Sequence, residues 1–136
     1  MSRRPEVRAR RDRGASSVEL AIVAPLVIIL TMLFVQTAIW FHARQVAQTA
    51  VDQGARASRA FGGSDAEGVQ TAERFFDLAG GPRVTEGTVQ ITAGRTAETV
   101  SMRLKTNCVS VIPGARLPVE AVAGGPIERF VLPGGA

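Results

Sequence analysis

Few residues in this 136-residue chain have side chains that could do chemistry together. His42 is the single histidine and Cys108 the single cysteine, which excludes the usual zinc sites. No histidine stands near Cys108 in sequence to activate it as a nucleophile. Glu73 and Asp77 share one helical face, but Arg74 lies beside them, and a solvated surface accounts for all three. The glycine pairs Gly62-Gly63 and Gly124-Gly125 lack the pattern of a phosphate-binding loop. An acid, a base, a nucleophile and metal ligands do not converge, so the sequence predicts no enzyme, no cofactor and no metal. Cys108 cannot form an internal disulfide; it reads as a small buried hydrophobe, with an intermolecular bond as the alternative.

One carboxylate poses a different chemical question. In RRDRGASSVELAIVAPLV, Arg10 to Val27, Glu19 stands where a basic stretch becomes an apolar one. Residues 1–14 hold six arginines against Glu6 and Asp12, so the whole formal net charge of +4 lies in this leader. Leu20 to Phe41 then contains no charged residue. As a helix, these 22 residues rise roughly 33 Å, enough for a hydrocarbon core of about 30 Å. Trp40 suits an interface, and His42 and Arg44 restore polarity beyond it. The expectation is one membrane span, with the arginines cytoplasmic and the C-terminal part outside. A basic arm could also bind nucleic acid, but one that directly precedes an apolar run reads as a membrane flank, and no nucleic acid is expected.

Two accounts of Glu19 follow. A carboxylate at a helix N-terminus is favoured by the macrodipole by about 0.3–1 kcal/mol, and Ser16 and Ser17 would suit the same helix start. An acid inside the bilayer edge otherwise needs a cation. Cleavage between Gly14 and Ala15 would make one, the α-ammonium group of Ala15. The rise of about 6 Å from Ala15 to Glu19 is awkward for self-pairing, so a neighbouring subunit's amine is the better partner.

The elements around these residues follow from periodicity. A long helix is expected from about Ala15 to Phe61, membrane-spanning to about residue 41, with a kink at Pro25. Beyond the span, Ala43, Ala47, Ala50, Gly54, Ala57 and Phe61 recur every three or four residues, a stripe of small residues for helix packing. That stripe could meet its own head or another subunit as well. Gly62-Gly63 breaks the helix, and Ser64 with Glu67 forms a capping-box pattern. A second helix to about Ala79 presents Val69, Ala72, Phe75, Phe76 and Ala79, and Gly80-Gly81-Pro82 ends it. The period then becomes two: Val89 and Ile91, then Val100, Met102 and Leu104, joined by AGRTAE as a hairpin loop. A third strand is expected at Val119–Ala123, after the Pro113-Gly114 turn, and a strand fragment with a loose tail ends the chain. The organisation is thus a leader at 1–14, a helix at 15–61 and an α+β head at 64–136 that packs its second helix on a small antiparallel sheet.

RGASSVEL resembles the processing site of type IV prepilins: a basic leader, Gly at the cut and Glu five residues on. With AIVAPLVIIL and its Pro25, the segment from about Arg11 to Gly54 resembles the TadE-like proteins of the tight-adherence (Flp) pilus system. The resemblance implies a pseudopilin cut by a membrane aspartyl prepilin peptidase. Gly14 and Ala15 would flank the scissile bond, and Glu19 would be the assembly acid. The implied partners are the membrane, the peptidase, other pilins or pseudopilins and the assembly machinery. An aromatic residue often follows the acid in Flp-type sequences. Here it is Leu20, and Flp major pilins are much shorter, so the resemblance points to a minor pseudopilin. The alternative is an unprocessed, single-pass membrane-anchored binding module.

Overall fold

The computed structural model describes residues 8–128, with side chains from residue 17 onward. The first half of the leader and the expected tail lie outside these residues, as do the side chains at Gly14 and Ala15. The chain divides into two units, Met1–Val35 and Gln36–Ala136. One helix, α1 (Arg8–Arg59), runs through both. It is already helical at Arg8, seven residues before Ala15, because arginine is a good helix former and nothing between Arg8 and Gly14 breaks a helix. It also continues through Pro25, at the loss of one backbone donor.

The first unit consists of the helical residues up to Val35. Val18, Leu20, Ile22, Leu26, Ile29, Leu30 and Phe34 are all exposed, and no part of the most apolar stretch is buried within the protein. A helix apolar on every side matches lipid rather than a protein core. The helix is long and apolar enough to cross a membrane, which suggests a single-pass anchor.

The second unit is the α+β head. Alongside α1 from Gln36 it contains α2 (Asp65–Leu78), a single helical turn α3 (Gly81–Val84), and strands β1 (Thr85–Arg95), β2 (Thr99–Cys108) and β3 (Leu117–Pro126). The sheet is antiparallel in the order β1-β2-β3. Ser64 caps α2, its hydroxyl accepting from the Glu67 amide at 3.2 Å.

Period two makes β2 the centre of the core. Val100, Met102, Leu104, Thr106 and Cys108 face inward, while Ser101, Arg103, Lys105 and Asn107 are exposed. Met102 and Leu104 pack with Ala43, Ala47, Ala50, Val51 and Ala55 of α1, with Ala72 and Phe76 of α2, and with Val119 and Ala121 of β3. Each large apolar side chain so buried contributes roughly 1.5–3 kcal/mol. The outer face carries Arg103 and Lys105 at 3.4 and 3.9 Å from Glu120, half-exposed pairs of little energetic weight.

The strands run further than their alternation predicted. β1 extends through Ala93 and Gly94 to Arg95, so the AGRTAE loop shrinks to Thr96–Glu98, closed by a 2.8 Å bond from the Thr96 amide to the Thr99 carbonyl. Arg95 is held at the strand end by three acceptors. Its Nε donates to Asp65 at 2.7 Å, and its Nη2 donates to the carbonyls of Ser58 and Gly63 at 2.8 and 3.2 Å. β3 likewise runs from Leu117 to Pro126, because the pairing of Thr99 with Pro126 and of Cys108 with Leu117 carries weakly patterned residues into the ladder. The end of α1 also departs from the expected stripe. The helix stops at Arg59, Gly62 takes a φ of +78°, and Phe61 is 80% exposed.

Replacing Leu104 by Asp places an unpaired carboxylate in this core and is expected to destabilise the head by at least about 4 kcal/mol. Arg103→Ser, one position away on the opposite face, is expected to change stability by less than about 1 kcal/mol. Denaturant unfolding of the detergent-solubilised chain measures both, and equal effects would contradict the inward face assigned to β2.

Candidate functional site

Glu19 lies in the first unit as an exposed residue of α1. Among the described residues no cation pairs with it. Gly14 and Ala15, five and four residues before it, are helical in backbone. The acid thus sits on a helix whose following four turns are apolar and open on all sides.

The small-residue stripe is in the second unit. Ala43, Ala47 and Ala50 are fully buried, and Gly54 is buried with them. Gly54 marks the tightest point. A Cβ there would meet the Met102 sulfur and stand 2.6 Å from the Gly68 carbonyl oxygen and 2.8 Å from the Ala72 methyl. A Cβ on Gly68 would in turn collide with the Ser58 hydroxyl. The stripe is therefore taken up by the chain's own head, through α2 and the sheet. Ala57 is only half-buried; Val46, Val51, Ala55 and Ser58 complete the buried face instead.

Two side chains that periodicity did not single out tie α1 to the sheet's far end, Gln36 to the loop between β2 and β3 and Trp40 to the start of β3. Gln36 is 4% exposed. Its Nε2 donates to the Val109 carbonyl at 3.2 Å, and its Oε1 accepts from the Val111 amide at 2.6 Å. Trp40, one turn on, donates through Nε1 to the Pro118 carbonyl at 3.2 Å, and the Arg44 guanidinium stands 5.6 Å from its ring centre. The sequence signal for Gln36 was present, an amide inside an apolar run. Its partners stand 73 and 75 residues away and left no trace in local pattern. The last six residues of the expected span, 36–41, therefore share their circumference with the head.

Among the described residues there is no group of His, Cys, Asp and Glu able to hold a metal ion. His42 is exposed, whereas Cys108 is buried and donates to the Val109 carbonyl at 3.3 Å. Burial pushes the Cys108 thiol above its ordinary pKa, which disfavours the reactive thiolate. Glu73 and Asp77 are exposed at the rim of a cleft of about 320 Å³ between α2 and β1, floored by Phe76, Val89 and Ile91. Neither His42 nor Cys108 lines it.

Gln36→Leu removes the acceptor of the Val111 amide, and an orphaned buried donor costs about 1–3 kcal/mol. The expected outcome is markedly faster hydrogen exchange at Val111, with the Met102 amide in the central strand unchanged. Unaltered exchange at Val111 would show that Gln36 does not hold the loop.

Comparison with known proteins finds a likeness to one family over part of the chain. No curated protein and no solved structure matches the chain. A family model does match, over about one third of the chain, and the family suggests a role in tight-adherence pilus systems as a structural or assembly component. The matched segment, residues 14–56, takes in Gly14, Glu19, the apolar helix, Gln36 and the buried small-residue stripe, and the family is that of TadE-like proteins, the one the sequence itself resembles.

Proposed function

We propose that this chain is a minor pseudopilin of a tight-adherence pilus assembly system, cut by a prepilin peptidase between Gly14 and Ala15. The observation that carries the reading is the position of the family match. It begins at Gly14, at the boundary between the arginine-rich leader and the segment containing Glu19. Removal of residues 1–14 takes away all the excess positive charge and creates an ammonium group at Ala15. Gly14 helps the step in two ways. It lets a peptidase approach the backbone closely, and as the poorest helix former after proline it weakens α1 by roughly 1 kcal/mol relative to alanine. Local unwinding of the helix at the scissile bond is therefore easiest there.

Glu19 then acts in assembly. A carboxylate within the membrane is costly until it meets a cation, and the Ala15 ammonium of a neighbouring subunit, displaced along the bundle, supplies one. A pair of that kind fixes register more than it adds net stability. The head stays outside the cytoplasm, since the arginine cluster holds the N-terminus on the cytoplasmic side. The rival reading is an unprocessed anchored binding module, which would keep its leader and tolerate loss of the Glu19 charge.

Intact-mass measurement of the membrane-extracted protein, with and without a co-expressed prepilin peptidase, distinguishes the two. The expected product lacks residues 1–14 and begins at Ala15; replacing Gly14 by a bulky residue blocks the cut. Glu19→Gln is expected to be cut normally but to be incorporated less into the assembly. A full-length chain beside an active peptidase would remove the pseudopilin reading, and normal assembly of Glu19→Gln would remove the role given to the acid. Orientation has its own check. A reporter fused after Phe61 is expected to be active only outside the cytoplasm, and a cytoplasmic signal there would reverse the topology.

A further inference from the structure

The head has two poles along α1. At one, Arg95 reaches the Ser58 carbonyl and the Glu128 amide bonds the Arg59 carbonyl at 3.1 Å. At the other, β2 ends beside Gln36, near the end of the uncharged run Leu20 to Phe41. The second pole has an unusual surface. The loop after β2 carries Val111, 40% exposed, followed by half-buried Ile112 and exposed Pro113. Leu78, at the C-terminal end of α2, is 81% exposed. The same end of α2 lines a groove through Phe75 and Ala79 with Phe41 and His42 of α1, so it reaches the same level of the helix. Arg83 and Arg116 are exposed near these apolar tips.

We infer that this pole is a membrane-contact surface, which inserts Val111, Ile112, Pro113 and Leu78 into the headgroup and acyl boundary of the bilayer that α1 crosses. The inference rests on the single-span reading and goes beyond it, because an anchor alone requires nothing of the head. Three observations name lipid as the occupant. The apolar tips lie at the height of Gln36 and Phe41, which close the uncharged run read as the span. Trp40 has its N–H bonded and its ring under the Arg44 guanidinium, the amphipathic arrangement that suits the interface. Arg83 and Arg116 can meet lipid phosphates while the tips insert, offset by the exposed acids Asp77 and Glu86 near the same pole. With charge nearly balanced, apolar contact supplies the attraction.

The test uses the full chain reconstituted in vesicles of phosphatidylcholine and phosphatidylglycerol. An environment-sensitive fluorophore is placed on single added cysteines at Val111, Leu30 or Thr96; buried Cys108 stays unlabelled in the folded protein, as the labelling ratio of the parent verifies. Lipids carrying a nitroxide near the headgroup are expected to remove most of the emission at Val111. Nitroxide near the acyl terminus is expected to quench Leu30 most, and Thr96 is expected to respond only to aqueous iodide. A Val111 probe that behaves like Thr96 while Leu30 is quenched overturns the contact surface and leaves the span intact. A Leu30 probe open to iodide overturns the span, and the contact surface with it.

Discussion

Ala43, Ala47, Ala50 and Gly54 leave one face of α1 almost without side chains, and the head is built into the space they vacate. Backbone meets backbone there: the Gly68 carbonyl and the Ala72 methyl lie where a Gly54 side chain would begin. Close approach of this kind is possible only between small residues. It lets Met102 and Leu104 of the central strand reach the helix and bury themselves completely. Larger residues on the face would push α2 and the sheet outward and open voids around both. The same stripe could have served another subunit, but in this chain its buried members are already occupied.

Polar contacts then fix the two ends of this packed unit. Arg95 gathers the last turn of α1, the turn after it and the first residue of α2 with one guanidinium, whose planar fork can satisfy several acceptors at once. Gln36 does the equivalent at the other end with an uncharged amide, giving one bond and accepting another. The difference suits the surroundings. A neutral amide can be buried next to an apolar helix at little cost once both of its ends are bonded, whereas a guanidinium could not. Among the described residues, two interior hydroxyls, on Ser58 and Thr106, have no partner, and shape accounts for the first: Ser58 fills the space left by Gly68.

The residues singled out by the two proposals fall in different units. The acid and the proposed cut are in the first unit; the packed stripe and the loop after β2 are in the second.

The sequence by itself determined everything that depends on near neighbours. The 22-residue uncharged run, the Ser64 cap three residues before Glu67, the inward alternation of Val100, Met102 and Leu104, and the small stripe on α1 all repeat at short spacing, and backbone geometry converts such spacing directly into a face or a terminus. The sequence also carried the Gly14 to Glu19 pattern that led to the TadE-like family. Only the tertiary structure decided which of two possible partners the stripe would take, how far β1 and β3 would extend, that Phe61 would point to solvent, and that Gln36 would close the loop after β2. Each of these rests on contacts between residues far apart in the chain. A residue's local pattern records the face it must show, but the group that will meet that face is set by how the elements pack, and packing is a property of the whole head.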